Sequence, residues 1–97
     1  MITRIVKLTF DPIHVEEFKA LFRDTQHAIQ STKGCLEVKL MKDVSKDNVF
    51  FTMSKWESEE YLNLYRKSEL FEKVWAQTKQ YFNDKPEAWS LEEVTKF

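Results

Sequence analysis

Apolar residues in this chain recur with two different periods, two residues and about 3.6, and polar breaks separate the segments. The breaks fall at Asp11-Pro12, Lys33-Gly34, Ser45-Lys46-Asp47-Asn48 and Asn83-Asp84-Lys85-Pro86. Such switching points to strands and helices alternating along one chain. Ile2 to Phe10 reads as a strand, with Ile2, Val6, Leu8 and Phe10 on one face and Arg4 as a charged exception among them. Ile5 lies on the other face with Thr3, Lys7 and Thr9. Asp11 is placed to cap a helix that begins at Pro12, where a missing N–H costs nothing. Phe10 and Val15 stand at the two positions of a hydrophobic staple. Val15, Phe18, Leu21, Phe22, Thr25 and Ile29 then recur at helical spacing. Gly34 ends this helix because it enters the left-handed region at little cost.

Cys35 to Lys42 alternates again, with Leu36, Val38 and Leu40 on one face and Glu37 and Lys39 on the other. After a polar turn, Val49 to Trp56 is apolar on both faces at its start, the mark of a strand covered on two sides. The two form a hairpin with a long loop. Ser58 is a cap for a second helix carrying Glu59 and Glu60 in its first turn and Tyr61, Leu62 and Tyr65 on its apolar stripe. Ser68 interrupts it and caps a continuation through Leu70, Phe71, Val74, Trp75, Thr78, Tyr81 and Phe82. Pro86 closes the helical region, and Ala88 to Val94 makes a last strand with Trp89 and Leu91 on one face. The order β-α-β-β-α-β is that of the α+β, ferredoxin-like plait, a four-stranded antiparallel sheet with helices on one face. All of residues 1–97 are read as one domain. The uncovered sheet face and fourteen aromatic rings predict a homodimer.

Composition narrows the function by exclusion. A single glycine builds neither a dinucleotide-binding loop nor a phosphate-cradling loop. One cysteine forms no internal disulfide, CxxC pair or four-sulfur zinc site, and two histidines, His14 and His27, make no HExxH pair. Glu16-Glu17 and Glu92-Glu93 would bind a metal only with a third convergent ligand, which the spacing does not supply. A net charge of -1 offers no basic field to nucleic acid. The expectations are therefore no metal, no nucleic acid and no membrane. With no signal peptide at Met1-Ile2-Thr3-Arg4, a cytoplasmic location is expected as well.

The run Ser54-Lys55-Trp56-Glu57-Ser58-Glu59-Glu60, followed by Lys67-Ser68-Glu69-Leu70-Phe71, resembles the antibiotic biosynthesis monooxygenase family. That family's strand carries a Trp, followed by an acidic helix start and then Ser-x-x-Phe. The resemblance implies a dimeric α+β barrel in which each subunit holds a cavity between sheet and helices. It also implies oxidation of phenols or quinols by dioxygen with no cofactor. A haem-degrading branch uses an Asn, a Trp and a His ligand, whose positions fall on Val6, Tyr65 and Trp75 here, so haem chemistry is not expected. The His that many members carry in the second helix also falls on Tyr65.

Tyr65 is the catalytic candidate, a phenol able to orient a substrate oxygen in an apolar cavity. Trp56, Trp75, Phe71 and Val6 are the substrate-binding candidates. Each aromatic also has a plain reading as core, because burying such a ring is itself worth roughly 5 kcal/mol. His14 and His27 read as surface residues, and Cys35 as a structural thiol, since the nearby Lys33 is too flexible to activate it. The sequence thus predicts a cofactor-independent monooxygenase acting on a small aromatic or quinol-type ligand. A non-catalytic binding or structural homodimer is the alternative.

Overall fold

Eight residues of strand, Ile2–Thr9 (β1), run down the middle of a four-stranded antiparallel sheet of order β2-β3-β1-β4. The computed structural model describes residues 1–95. β2 is Cys35–Lys42, β3 is Val49–Trp56 and β4 is Glu87–Leu91. The helices α1 (Val15–Gln30), α2 (Glu59–Arg66) and α3 (Glu69–Lys79) complete the β-α-β-β-α-β plait. None of the described helices is long and apolar enough to cross a membrane.

Three local departures from the expected pattern have identifiable causes. Asp11 does cap, its Oδ1 accepting from the Ile13 N–H at 3.1 Å, but the turn it caps is a 3₁₀ turn over Pro12–His14. The α-helix itself begins at Val15, since short 3₁₀ turns often lead into helices. In β2 the register slips between Cys35 and Glu37, so Leu36 is an inserted bulge residue and is exposed rather than in line with Val38 and Leu40. The insertion puts Cys35 opposite Trp56, on the helix side of the sheet. Lastly, β4 starts at Glu87 and stops at Leu91, short of Val94.

α1 ends at Gln30 with Ser31 as its C-cap rather than at Gly34, which at φ +86° makes the turn into β2 and whose carbonyl accepts the Glu57 N–H at 2.8 Å. Ser58 and Ser68 cap α2 and α3 through the backbone N–H of Tyr61 and Phe71. Ser68 also donates to the Tyr65 carbonyl at 2.6 Å, so one side chain ties the end of α2 to the start of α3. Caps of this kind contribute about 1 kcal/mol each.

The core lies between α1 and the sheet. Phe10, Phe18 and Phe50 pack ring to ring, with centroids 4.2 Å apart for Phe10–Phe18 and 6.0 Å for the other two pairs. Leu8, Phe22, Ile29 and Val38 close around them. β2 is an edge strand, and its Val38 is tied from the side by α1: Gln26 donates to its carbonyl and Gln30 accepts its N–H. The opposite sheet face has no helix. Register places Ile5, Met53 and Trp89 side by side there, flanked by Phe51 and Leu91. Trp89 and Leu91 remain 43% and 50% exposed, which leaves an apolar face open in the single chain.

Candidate functional site

Below α1 the sheet and helices do not close completely. Between β1, β3, α2 and α3 they enclose a cavity of about 320 Å³. Alternation along β1 aims Arg4, Val6 and Leu8 into it, and the antiparallel register adds Thr52 and Ser54 from β3 and Ala88 from β4. α2 contributes Leu62, Tyr65 and Arg66, and α3 contributes Phe71, Val74, Trp75 and Thr78.

Tyr65, Trp56, Trp75, Phe71 and Val6 all lie on the wall of this one cavity. The rings form a continuous series. Trp56 stacks on Tyr65 at 5.1 Å, Tyr65 meets Phe71 edge to face at 5.3 Å, and Phe71 stacks on Trp75 at 6.0 Å. Trp56 is fully buried, and its indole N–H donates to Ser54 Oγ at 2.9 Å. The Ser68 hinge positions Tyr65 and Phe71 relative to each other through the carbonyl of one and the N–H of the other.

Among the described residues no protein group hydrogen-bonds the Tyr65 hydroxyl. Nor is any enclosed side-chain oxygen or nitrogen left without a partner, so this hydroxyl, on a ring that lines the cavity, is not sealed off. Burial, with a smaller contribution from nearby Cys35, pushes its pKa up to about 12. Tyr65 is therefore a neutral phenol at any physiological pH, a hydrogen-bond donor and not a base. Burial likewise raises the Cys35 thiol, which keeps it protonated and unreactive.

His14 is outside the site. It pairs with Glu17 at 2.7 Å on the surface and packs against Tyr81. His27 is exposed on α1. Among the described residues, no three His, Cys, Asp or Glu side chains converge as a metal site would require.

Two cavity residues, Arg4 and Arg66, are absent from the candidates drawn from the sequence. Arg4 announces itself as the one charge on an otherwise apolar strand face. Arg66 follows Leu62 by four residues and so shares its face of α2. The Arg4 guanidinium donates to Ser90 Oγ at 2.9 Å. Burial lowers its pKa, and the neighbouring charge of Arg66 lowers it further.

A family model described as antibiotic biosynthesis monooxygenase matches residues 1–77. No curated protein sequence matches the chain. Among solved structures, a conserved protein from Methanosarcina mazei Go1 superimposes with a TM-score of 0.90 at 17% identity, covering 97% of this chain and 94% of its own. A crystal structure of an antibiotic biosynthesis monooxygenase matches with a TM-score of 0.90 at 16% identity, over 97% of this chain and 99% of that one. Rv0793 from Mycobacterium tuberculosis matches with a TM-score of 0.88 at 15% identity, over 98% and 96% of the two chains. At these identities the structural matches establish the fold.

Proposed function

This chain belongs to the antibiotic biosynthesis monooxygenase family, and from that premise we propose that it is a cofactor-independent monooxygenase acting on a small aromatic or quinol-type molecule. The observation that carries the reading is the Tyr65 hydroxyl, held between Trp56 and Phe71 and open to an apolar, ring-lined cavity. At about 320 Å³ the space is at the small end of ligand pockets, suited to a flat molecule of two or three rings.

The chemistry asks little of the protein beyond positioning and exclusion of water. An ionised phenol or quinol is electron-rich enough to reduce dioxygen itself. A ring carbon bonds to one oxygen atom, giving a hydroperoxide. Loss of water from it converts the original C–H to C=O. The substrate supplies all four electrons, one oxygen atom stays in the product and the other leaves as water. The Tyr65 O–H would donate to the substrate oxygen and favour its anionic form, in a low-dielectric setting where such a bond is strong. Trp56, Phe71, Trp75 and Val6 would hold the ring plane and keep bulk water out.

The test is oxygen consumption by purified, metal-stripped protein with a panel of dihydroxynaphthalenes and quinols. Uptake proportional to protein concentration is expected for at least one of them. A flat trace across the panel would overturn the reading in favour of a binding or structural protein.

The open sheet face supports a homodimer in which two sheets pack face to face, completing an α+β barrel. Ile5, Phe51, Met53, Trp89 and Leu91 form its apolar centre. The ion pairs Lys7–Glu87 (3.8 Å) and Lys55–Glu37 (3.6 Å) lie on the same face. Trp89→Glu should convert a dimer into a folded monomer in sedimentation equilibrium. A wild-type chain that sediments as a monomer would rule the dimer out. The single unpaired Cys35 fits a reducing cytoplasm.

A further inference from the structure

The cavity is not apolar throughout. Its aromatic walls lead to a polar end where Arg4 and Arg66 both line the space, with Ser54 and Ser90 beside Arg4 on the strands to either side of it. A guanidinium seldom sits on the inner face of a sheet without a carboxylate to pair with, since desolvating a charge is costly. Among the described residues neither arginine has one: neither guanidinium forms an ion pair, while Glu37 pairs with Lys39 and Lys55, Glu87 with Lys7 and Glu69 with Lys73. The single side-chain partner of Arg4 is a neutral hydroxyl, Ser90 Oγ. Two like charges thus stand close together at the end of a pocket with no protein anion between them.

Helix-dipole placement accounts for part of this. Arg66 is in the last turn of α2, where a cation is favoured. It does not account for Arg4, which is on the central strand and belongs to no helix.

We propose that the ligand of this cavity is a flat aromatic molecule bearing a delocalised oxyanion, a carboxylate or a phenolate, with its rings against Trp56, Tyr65, Phe71 and Trp75 and its anionic group between Arg4 and Arg66. The planar guanidinium matches such a group because its N–H donors lie in a fork with the spacing of two oxygens. An oxyanion here relieves the repulsion between the two cations and supplies the missing counter-charge. Ser54 adds a hydroxyl to the same end of the lining. The proposal rests on the cavity being the ligand site and deepens that reading by assigning a charge to the ligand and a direction to its binding.

The experiment is an equilibrium titration followed by the fluorescence of the cavity tryptophans, independent of any oxygenase turnover. The probes are naphthoate and its neutral isostere naphthamide, with an electron-poor naphthol that is ionised at neutral pH as the phenolate probe. Naphthoate is expected to bind at least about ten-fold more tightly than naphthamide, the low end of what one charge-assisted hydrogen bond contributes. Its affinity should weaken as salt rises, while that of naphthamide stays level. Arg66→Gln, at an exposed position that leaves the core intact, should remove most of the preference, weakening naphthoate by a much larger factor than naphthamide. Arg4→Gln should do the same, with its circular dichroism spectrum as the check on folding. The ionised naphthol identifies which oxyanion is preferred by its rank against naphthoate. Equal affinity for naphthoate and naphthamide, or a preference that survives both substitutions, would overturn the charge assignment and leave the cavity as a neutral-ligand site. Failure of all three probes to bind would overturn the cavity as the ligand site altogether.

Discussion

Gly34→Ala is expected to destabilise the fold by about 3–5 kcal/mol, a large share of the stability of a domain this small. Two costs combine. An L-residue held at the φ of +86° seen here pays roughly 1–2 kcal/mol for crowding its Cβ against the backbone. The new methyl would also overlap Cβ and Cγ of Tyr61 and approach its Cδ2 to 2.7 Å. These are the inner atoms of the ring, next to the α2 backbone, so no simple rotamer change clears them. Overpacking of that kind adds roughly 1–3 kcal/mol. The consequence reaches the cavity, because the Gly34 carbonyl anchors Glu57 just before α2, the helix that carries Tyr65 and Arg66. Urea denaturation measures the effect directly. In the Tyr61→Gly background, which removes Cβ as well as the ring, the steric part should be absent, so the added cost of Gly34→Ala falls to that of the φ angle alone. A loss below about 1 kcal/mol in the single variant would contradict the argument.

The same glycine shows what a linear reading can recover. The period of the apolar residues and the caps at Asp11, Ser58 and Ser68 locate every helix and strand, because each signal is local and chemical. Trp56 and Phe71 on the cavity wall are legible for a different reason, because the spacing Trp56, Ser68, Phe71 is a pattern shared with a family, and Val6, Tyr65 and Trp75 follow only from matching that family's positions one by one. The bulge at Leu36 was not legible. Alternation over Leu36, Val38 and Leu40 looks unbroken, and only pairing with β3 reveals that one residue is extra. It follows that Cys35, which alternation assigns to the open face, sits opposite Trp56 on the side of the cavity. Arg66 was hidden too, since a basic residue in the last turn of a helix is ordinarily explained by the dipole. Arg4 was visible as an exception, but its meaning depends on what faces it from α2. That is a tertiary fact, one that no period along the chain encodes.

Tyr65→Phe should lower the turnover number for oxygen uptake by about 100-fold while leaving the protein folded and KM little changed, as expected when a donor to a developing oxyanion is removed. The substitution isolates the hydroxyl, because phenylalanine keeps the stack on Trp56 and the edge contact with Phe71. The pH profile separates a donor from a base. With its pKa near 12, Tyr65 remains protonated throughout the working range. The wild-type rate should therefore climb with ionisation of the substrate and level off, with no second break from Tyr65 below about pH 10. Stability gives an independent readout of the same shift. Between pH 10, where an unfolded tyrosine ionises, and pH 12 the native state holds a proton that the unfolded state has released. Stability contributed by this group is complete below the unfolded value and declines through that window by roughly 2–3 kcal/mol. The decline should be smaller by that amount in Tyr65→Phe. A turnover number unchanged by the substitution would remove Tyr65 from the chemistry and leave it as one more ring in the wall.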